Sequence, residues 1–162
     1  MNILALDIGT NMGYAYNFGG NFHAGTWTLA TAKEIKAAGK SRLNRRNDPR
    51  MKTLCNILSG LPEFDAVVFE DVEFSSYRLQ MQLWAGLRSV VNLCARAKHF
   101  DCVPVSTLKK FATGHGGATK EMMGIHLHKK YPLLWDITMD DNAIDAVWIH
   151  LWAQKNLSRM KL

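Results

Sequence analysis

A chain of 162 residues, 48% hydrophobic and 21% charged, has the make-up of one ordinary folded domain, 1–162, large enough to bury a core without staples. No apolar run approaches the roughly 18 residues of a membrane span, and no charged-then-apolar leader opens the chain, so a soluble cytoplasmic protein with no membrane partner is expected. The net charge of +6 leans towards an acidic partner, and its placement along the chain decides how much weight it carries.

Ile3 to Leu6 is a short apolar run with the character of a strand buried on both faces, and it ends in Asp7. A carboxylate there is costly unless it is paired or bound to a cation; an aspartate bonding to its own turn is the plainer alternative. Gly9, Thr10, Asn11 and Gly13 follow, a turn whose glycines permit positive φ and the close approach of another group, read here as making room for a substrate. Met12–Phe18 and Asn21–Leu29 are extended, with Gly19-Gly20 as the hairpin turn between them.

Between Lys33 and Lys52 stand eight Lys and Arg against two acidic residues, while the rest of the chain is balanced. This segment reads as a loop or flap for a polyanion, with Arg42, Arg45 and Arg46 as candidate DNA contacts. Asp48-Pro49 starts a helix with the stripe Met51, Leu54, Cys55 and Leu58, which Gly60 ends. Asp65–Phe69 is a second buried strand and runs into Glu70 and Asp71.

A long helix from Ser75 or Ser76 to about Lys98 repeats Leu79, Leu83, Leu87, Val90, Val91 and Cys94, with Trp84 widening the stripe. That face is wide enough to pack on a sheet and leave surface for a partner subunit. Cys102–Val105 is the last strand. Ser106-Thr107 opens a short helix stopping at Gly114, Thr119 caps another through His128, and a final helix runs from Asp140 or Asp141 to about Lys155. Three cysteines, Cys55, Cys94 and Cys102, are odd in number and lack metal spacing, and the first two read as buried free thiols.

The order β-β-β-α-β-α-β-α-α predicts an α/β fold: a mixed five-stranded sheet, a three-stranded antiparallel meander plus two strands parallel to the first, flanked by helices. Sites in such sheets gather at the carboxyl ends of neighbouring parallel strands, which is where Asp7 and Glu70 stand. Asp145 sits among Ala143, Ile144, Ala146 and Val147, a setting for an acid that faces a site. Asp141, four residues earlier, shares its helical face, though an N-cap role explains it as well.

Carboxylates converging without His or Cys select hard cations, Mg²⁺ or Mn²⁺. Two such ions clamp the attacking and leaving oxygens of a phosphodiester displacement. Lys109, Lys110 and Lys120 supply cations for phosphate, and Lys120, in the first turn of a helix, has no helix-dipole reason to be there.

The ordered blocks LALDIGTNMGYA, AVVFEDVEF, VSTLKKFATGHGGATKEMM and DDNAIDAVWI, spread from Ile3 to Leu151, resemble the RuvC-like Holliday junction resolvases of the ribonuclease H superfamily, particularly the phage-encoded type. The resemblance implies a ribonuclease H-like fold and a homodimer that binds a four-way DNA junction and nicks two strands symmetrically, with Mg²⁺ as cofactor. Asp7, Glu70 and Asp145 match the family's metal-binding carboxylates, and Lys110 and Lys120 its basic residues near the scissile phosphate, Lys120 with a catalytic part. Phe74 or Tyr77 lies where the family has an aromatic that stacks on unpaired bases. The family's fourth carboxylate falls on Asn142, so the fourth ligand is either Asn142, through its amide oxygen, or Asp141.

A DIGT turn also opens actin-like sugar kinases and chaperone ATPases, but those need two domains, so no nucleotide cofactor is expected. A ribonuclease H acting on RNA–DNA hybrids would use the same ligands. A non-catalytic junction-binding module would use the basic patch and leave the acids without purpose.

Overall fold

The computed structural model describes residues 1–39, 48–71, 78–136 and 140–157. Strands β1 (Ile3–Asp7), β2 (Asn11–Phe18) and β3 (Asn21–Thr28) form the expected meander, and β4 (Phe64–Asp71) and β5 (Ala97–Pro104) extend it in the order β3-β2-β1-β4-β5. β1 runs antiparallel to β2 and parallel to β4, and β4 runs parallel to β5. The β2–β3 turn is made by Gly19 and Gly20, with φ of 58° and 85°, the positive pair that a two-residue hairpin turn needs.

Side chains alternate across the sheet. Ile3, Ala5, Ala66 and Val68 face one layer, built on α4 (Val105–Thr113), α5 (Lys120–Lys130) and α7 (Asp141–Leu157). Leu4, Leu6, Val67 and Phe69 face the other, built on α2 (Pro49–Gly60) and α3 (Arg78–Cys94). α7 is buried almost all round, from Ala143 to His150, because it lies across β1 and β2 under the neighbouring helices. Among the described residues no helix is long and apolar enough to cross a membrane.

Several elements differ from the sequence expectation. The start of the basic segment is a helix, α1 (Ala32–Ala38), rather than a loop: Thr31 and Glu34 form a reciprocal capping box that outweighs the charge run. The long helix stops at Cys94 instead of Lys98, and β5 begins at Ala97 rather than Cys102. β5 is an edge strand whose Lys98, His99 and Phe100 are exposed, so its first half shows no apolar run, while its pairing with β4 starts at Phe64 opposite Ala97. A short helix, α6 (Pro132–Asp136), follows α5.

Cys55 and Cys94 are joined in a disulfide, not free, and Cys102 remains a thiol. Both stripes were legible, but only the packing of α2 on α3 sets one cysteine against the other. Arg50, counted in the basic patch, is held by both carboxylate oxygens of Asp48 and donates to the Thr10 hydroxyl at 2.9 Å. Its charge is therefore spent on tying α2 to the β1–β2 turn. Arg42, Arg45, Arg46, Phe74 and Tyr77 lie outside the described residues.

His150, fully buried on α7, donates from Nε2 to Asn17 Oδ1 at 2.8 Å, and its Nδ1 has no partner. Burial pushes its pKa down to about 4. A base with a depressed folded pKa contributes stability above its unfolded value, near 6.5, that is lost as pH falls towards about 4. Between pH 8 and 4.5, urea unfolding of the wild type should lose about 2 kcal/mol more than that of His150→Gln, which keeps a donor for Asn17. Equal losses would show that His150 is not the buried base responsible.

Candidate active site

The register Leu6 opposite Phe69 makes Asp7 and Glu70 the next residues of two neighbouring parallel strands. Alternation turns both towards the α7 layer, whereas Asp71 turns to the other face and pairs with Arg88 at 3.1 Å. Asp7 is also opposite Gly13 of β2, and Gly13 opposite Thr26 of β3. One row of the sheet thus reads Thr26, Gly13, Asp7, with Glu70 continuing it.

The N-terminus of α7 is seated on that row. A Cβ on Gly13 would stand 1.9 Å from the carbonyl oxygen of Asn142. The clearance that Gly13 provides is therefore filled by the first turn of α7 rather than by a substrate. Neither Gly9 nor Gly13 has a positive φ; Gly13 is needed for close approach alone. Asp140 caps the helix, accepting from Ala143 N–H at 3.0 Å and from the Thr26 hydroxyl at 2.6 Å. This leaves Asp141, exposed in the first turn, free of the capping role that the sequence allowed it.

The carboxylates sense one another. Burial, then the charges of Asp145 and Glu70, push the Asp7 carboxyl up to about 7 against a pull from Lys120. Burial, then Asp145, push Glu70 up to about 7 against Lys109 and Lys120. Asp145 is raised chiefly by burial, with Asp141 adding to it and Lys120 and Lys109 opposing. Lys120 Nζ lies 3.6 Å from Asp145, with its own side chain 59% exposed. Of the α4 lysines it is Lys109 whose charge reaches Glu70 and Asp145; Lys110 is exposed on the helix.

The fold brings together Asp7, Glu70, Asp145, Asp141, Lys109 and Lys120, and lays the Asn142 backbone against Gly13. Four carboxylates against two lysines leave a net negative, partly buried centre, and hard oxygen donors of this kind suit a divalent cation. In this geometry no three His, Cys, Asp or Glu side chains among the described residues stand close enough to enclose one ion. The residues fit a cation in charge and donor type, while the side chains as placed do not close around one. Thr26 and Asp140 were missed as part of this arrangement: capping chemistry marked Asp140 and Asp141 equally, and nothing in the sequence aligns Thr26 with them.

No protein-family model and no curated protein matches the chain. Solved structures do. Thermus thermophilus RuvC in complex with a Holliday junction substrate superposes with a TM-score of 0.64 at 16% identity, covering 99% of this chain and 96% of that one. Another structure of Thermus thermophilus RuvC gives 0.54 at 13% identity, with 96% of each chain covered. The yeast mitochondrial Holliday junction resolvase gives 0.50 at 11%, covering 99% of this chain and 84% of that one. With its mixed sheet, helix layers and nearly complete coverage, the chain has the RuvC-like form of the ribonuclease H fold.

Proposed function

We propose that this protein is a divalent-metal-dependent endonuclease that nicks four-way or other branched DNA junctions. The observation that carries the reading is the convergence of Asp7, Glu70 and Asp145 from three distant segments into one buried, undercompensated negative centre. Nothing in packing rewards such a centre, and a cation would relieve it. The RuvC-like fold supports the same reading, since one of the structures sharing it holds a Holliday junction substrate.

Asp7, Glu70 and Asp145 would hold Mg²⁺ or Mn²⁺, with Asp141 favoured as the fourth ligand because its charge already acts on Asp145. Bound there in a pair, such ions supply charge stabilisation to the attacking and leaving oxygens of an in-line phosphodiester displacement. Lys120 spans the acidic centre and solvent, a position suited to gripping the phosphate beside the cut; Lys109 offers a second cation from α4. Lys110, exposed on the same helix, would meet the backbone further out.

A homodimer belongs to the proposal, because junction arms come in symmetric pairs. α3 supports it: Leu87 and Val91 are buried against the sheet, while Leu79 and Leu93 are 78% and 83% exposed on the other side. Those leucines are a surface for a second copy.

The test is cleavage of a synthetic four-way junction beside a linear duplex and an RNA–DNA hybrid, with Mg²⁺ or with EDTA. Cutting confined to the junction and to Mg²⁺ is expected. Equal cutting of all three substrates, or a preference for the hybrid, would remove the resolvase reading; junction binding without cutting in either metal would leave a binding module. In the same assay, Asp141→Ala should raise the Mg²⁺ needed for half-maximal cutting about tenfold, and Asn142→Ala should raise it less. The reverse order would assign the fourth ligand to Asn142.

A further inference from the structure

Thr26 is on β3, an edge strand, two strands away from Asp7, and carries no chemistry of its own in the proposed reaction. Its place is nonetheless specific. Thr26 stands opposite Gly13, which stands opposite Asp7, so the three mark one transverse row of the sheet. The first turn of α7 meets that row at two points. The Asn142 backbone presses on Gly13, where no side chain would fit. The Asp140 carboxylate takes the Thr26 hydroxyl at 2.6 Å with the same oxygen that accepts from Ala143 N–H at 3.0 Å, and the Asp140 carbonyl accepts from Ile144 N–H at 3.0 Å.

Contact with Gly13 sets how closely α7 approaches the sheet, but a flat glycine surface does not stop the helix sliding or rotating over it. A directed hydrogen bond to the cap does. Asp141 and Asp145 lie one and five residues beyond Asp140, on a rigid helix of 1.5 Å rise per residue. Whatever fixes Asp140 therefore fixes where both acids face Asp7 and Glu70. An error near 1 Å at such a centre is enough to spoil ion binding.

We propose that Thr26 is a positioning residue, whose hydroxyl clamps Asp140 and so indexes the first turn of α7, with Asp141 and Asp145, against Asp7 and Glu70. The inference rests on the reading of these acids as cation ligands.

The test is Mn²⁺ binding to the DNA-free protein by calorimetry, with thermal unfolding in EDTA and junction cleavage as a function of Mn²⁺ concentration. Thr26→Val removes the hydroxyl at nearly constant volume and leaves the Asp140–Ala143 cap in place. It should weaken Mn²⁺ binding about tenfold and move the metal midpoint of cleavage by the same factor, with the unfolding temperature in EDTA little changed. Thr26→Ser, which restores the donor, should return both midpoints to within about twofold of wild type; this rescue separates positioning from a general packing loss. Thr26→Val with wild-type Mn²⁺ affinity and metal midpoint overturns the clamp while leaving the nuclease reading intact. So does a failure of Thr26→Ser to recover what Thr26→Val loses. A wild-type protein that binds no Mn²⁺ and cuts no junction overturns both.

Discussion

Replacing Asp7 by asparagine is expected to abolish junction cleavage while making the metal-free protein more stable. The two effects have one cause. Asp7 is an anion held in a buried place beside two others, so its carboxyl is pushed up to about 7. The sign follows from linkage. A carboxyl with a raised folded pKa costs nothing below its unfolded value, near 3.8, and destabilises the fold increasingly as pH rises towards about 7. Each pKa unit corresponds to about 1.4 kcal/mol, so Asp7→Asn in EDTA at pH 8 should gain about 2–4 kcal/mol over wild type, a gain that shrinks towards pH 4.

Glu70 shares this behaviour over the window from its ordinary value near 4.5 to about 7. Mg²⁺ should therefore raise the unfolding temperature of the wild type more at pH 8 than at pH 5, and that of Asp7→Asn little at either. Cleavage should fall by about a thousandfold or more, the loss of several kcal/mol of charge stabilisation. Junction affinity should hold or improve, since one charge that repels phosphate has gone. An Asp7→Asn protein that cuts normally, or that is less stable than wild type in EDTA at pH 8, would remove Asp7 from the centre.

The second large effect concerns Gly9 of the β1–β2 turn and Gly13 of β2, which sequence alone treats as equivalent. Gly13→Ala should destabilise the protein by about 3 kcal/mol or more, because its Cβ would overlap helix backbone that has no rotamer to escape into. Gly9→Ala should stay within about 1 kcal/mol of wild type, because the nearest atom to its Cβ, Asn11 O, is 3.4 Å away, an ordinary contact. Urea unfolding of both variants decides it. Similar midpoints for the two would mean that α7 does not sit on Gly13. Gly13→Ala should also lose metal binding beyond its loss of stability, since the displaced helix start carries Asp141 and Asp145 away from Asp7 and Glu70.

Much of the sheet was legible because its causes are local. β1 and β4 are short apolar runs broken by an acid, and strands buried on both faces look like that wherever they occur. The Gly19-Gly20 pair made a hairpin the economical reading, and Asp145 stood out because Ala143, Ile144, Ala146 and Val147 on either side of it are all apolar. Asp7, Glu70 and Asp145 could be named as candidates on these grounds. The start of β5 could not, since an edge strand with an exposed first half carries no apolar signature.

What the sequence by itself determined is therefore the buried strands and the longer helices, and the acids that end or interrupt them, because burial of a strand or helix writes its own periodicity. Only the tertiary structure decided how those elements meet. It paired Cys55 with Cys94, spent Arg50 on Asp48, and turned Lys109 rather than Lys110 towards Glu70 and Asp145. It filled the space above Gly13 with the first turn of α7 and gave the cap to Asp140, releasing Asp141. Each of these depends on which faces are apposed, a property of distant segments packed together that no single stretch of chain encodes.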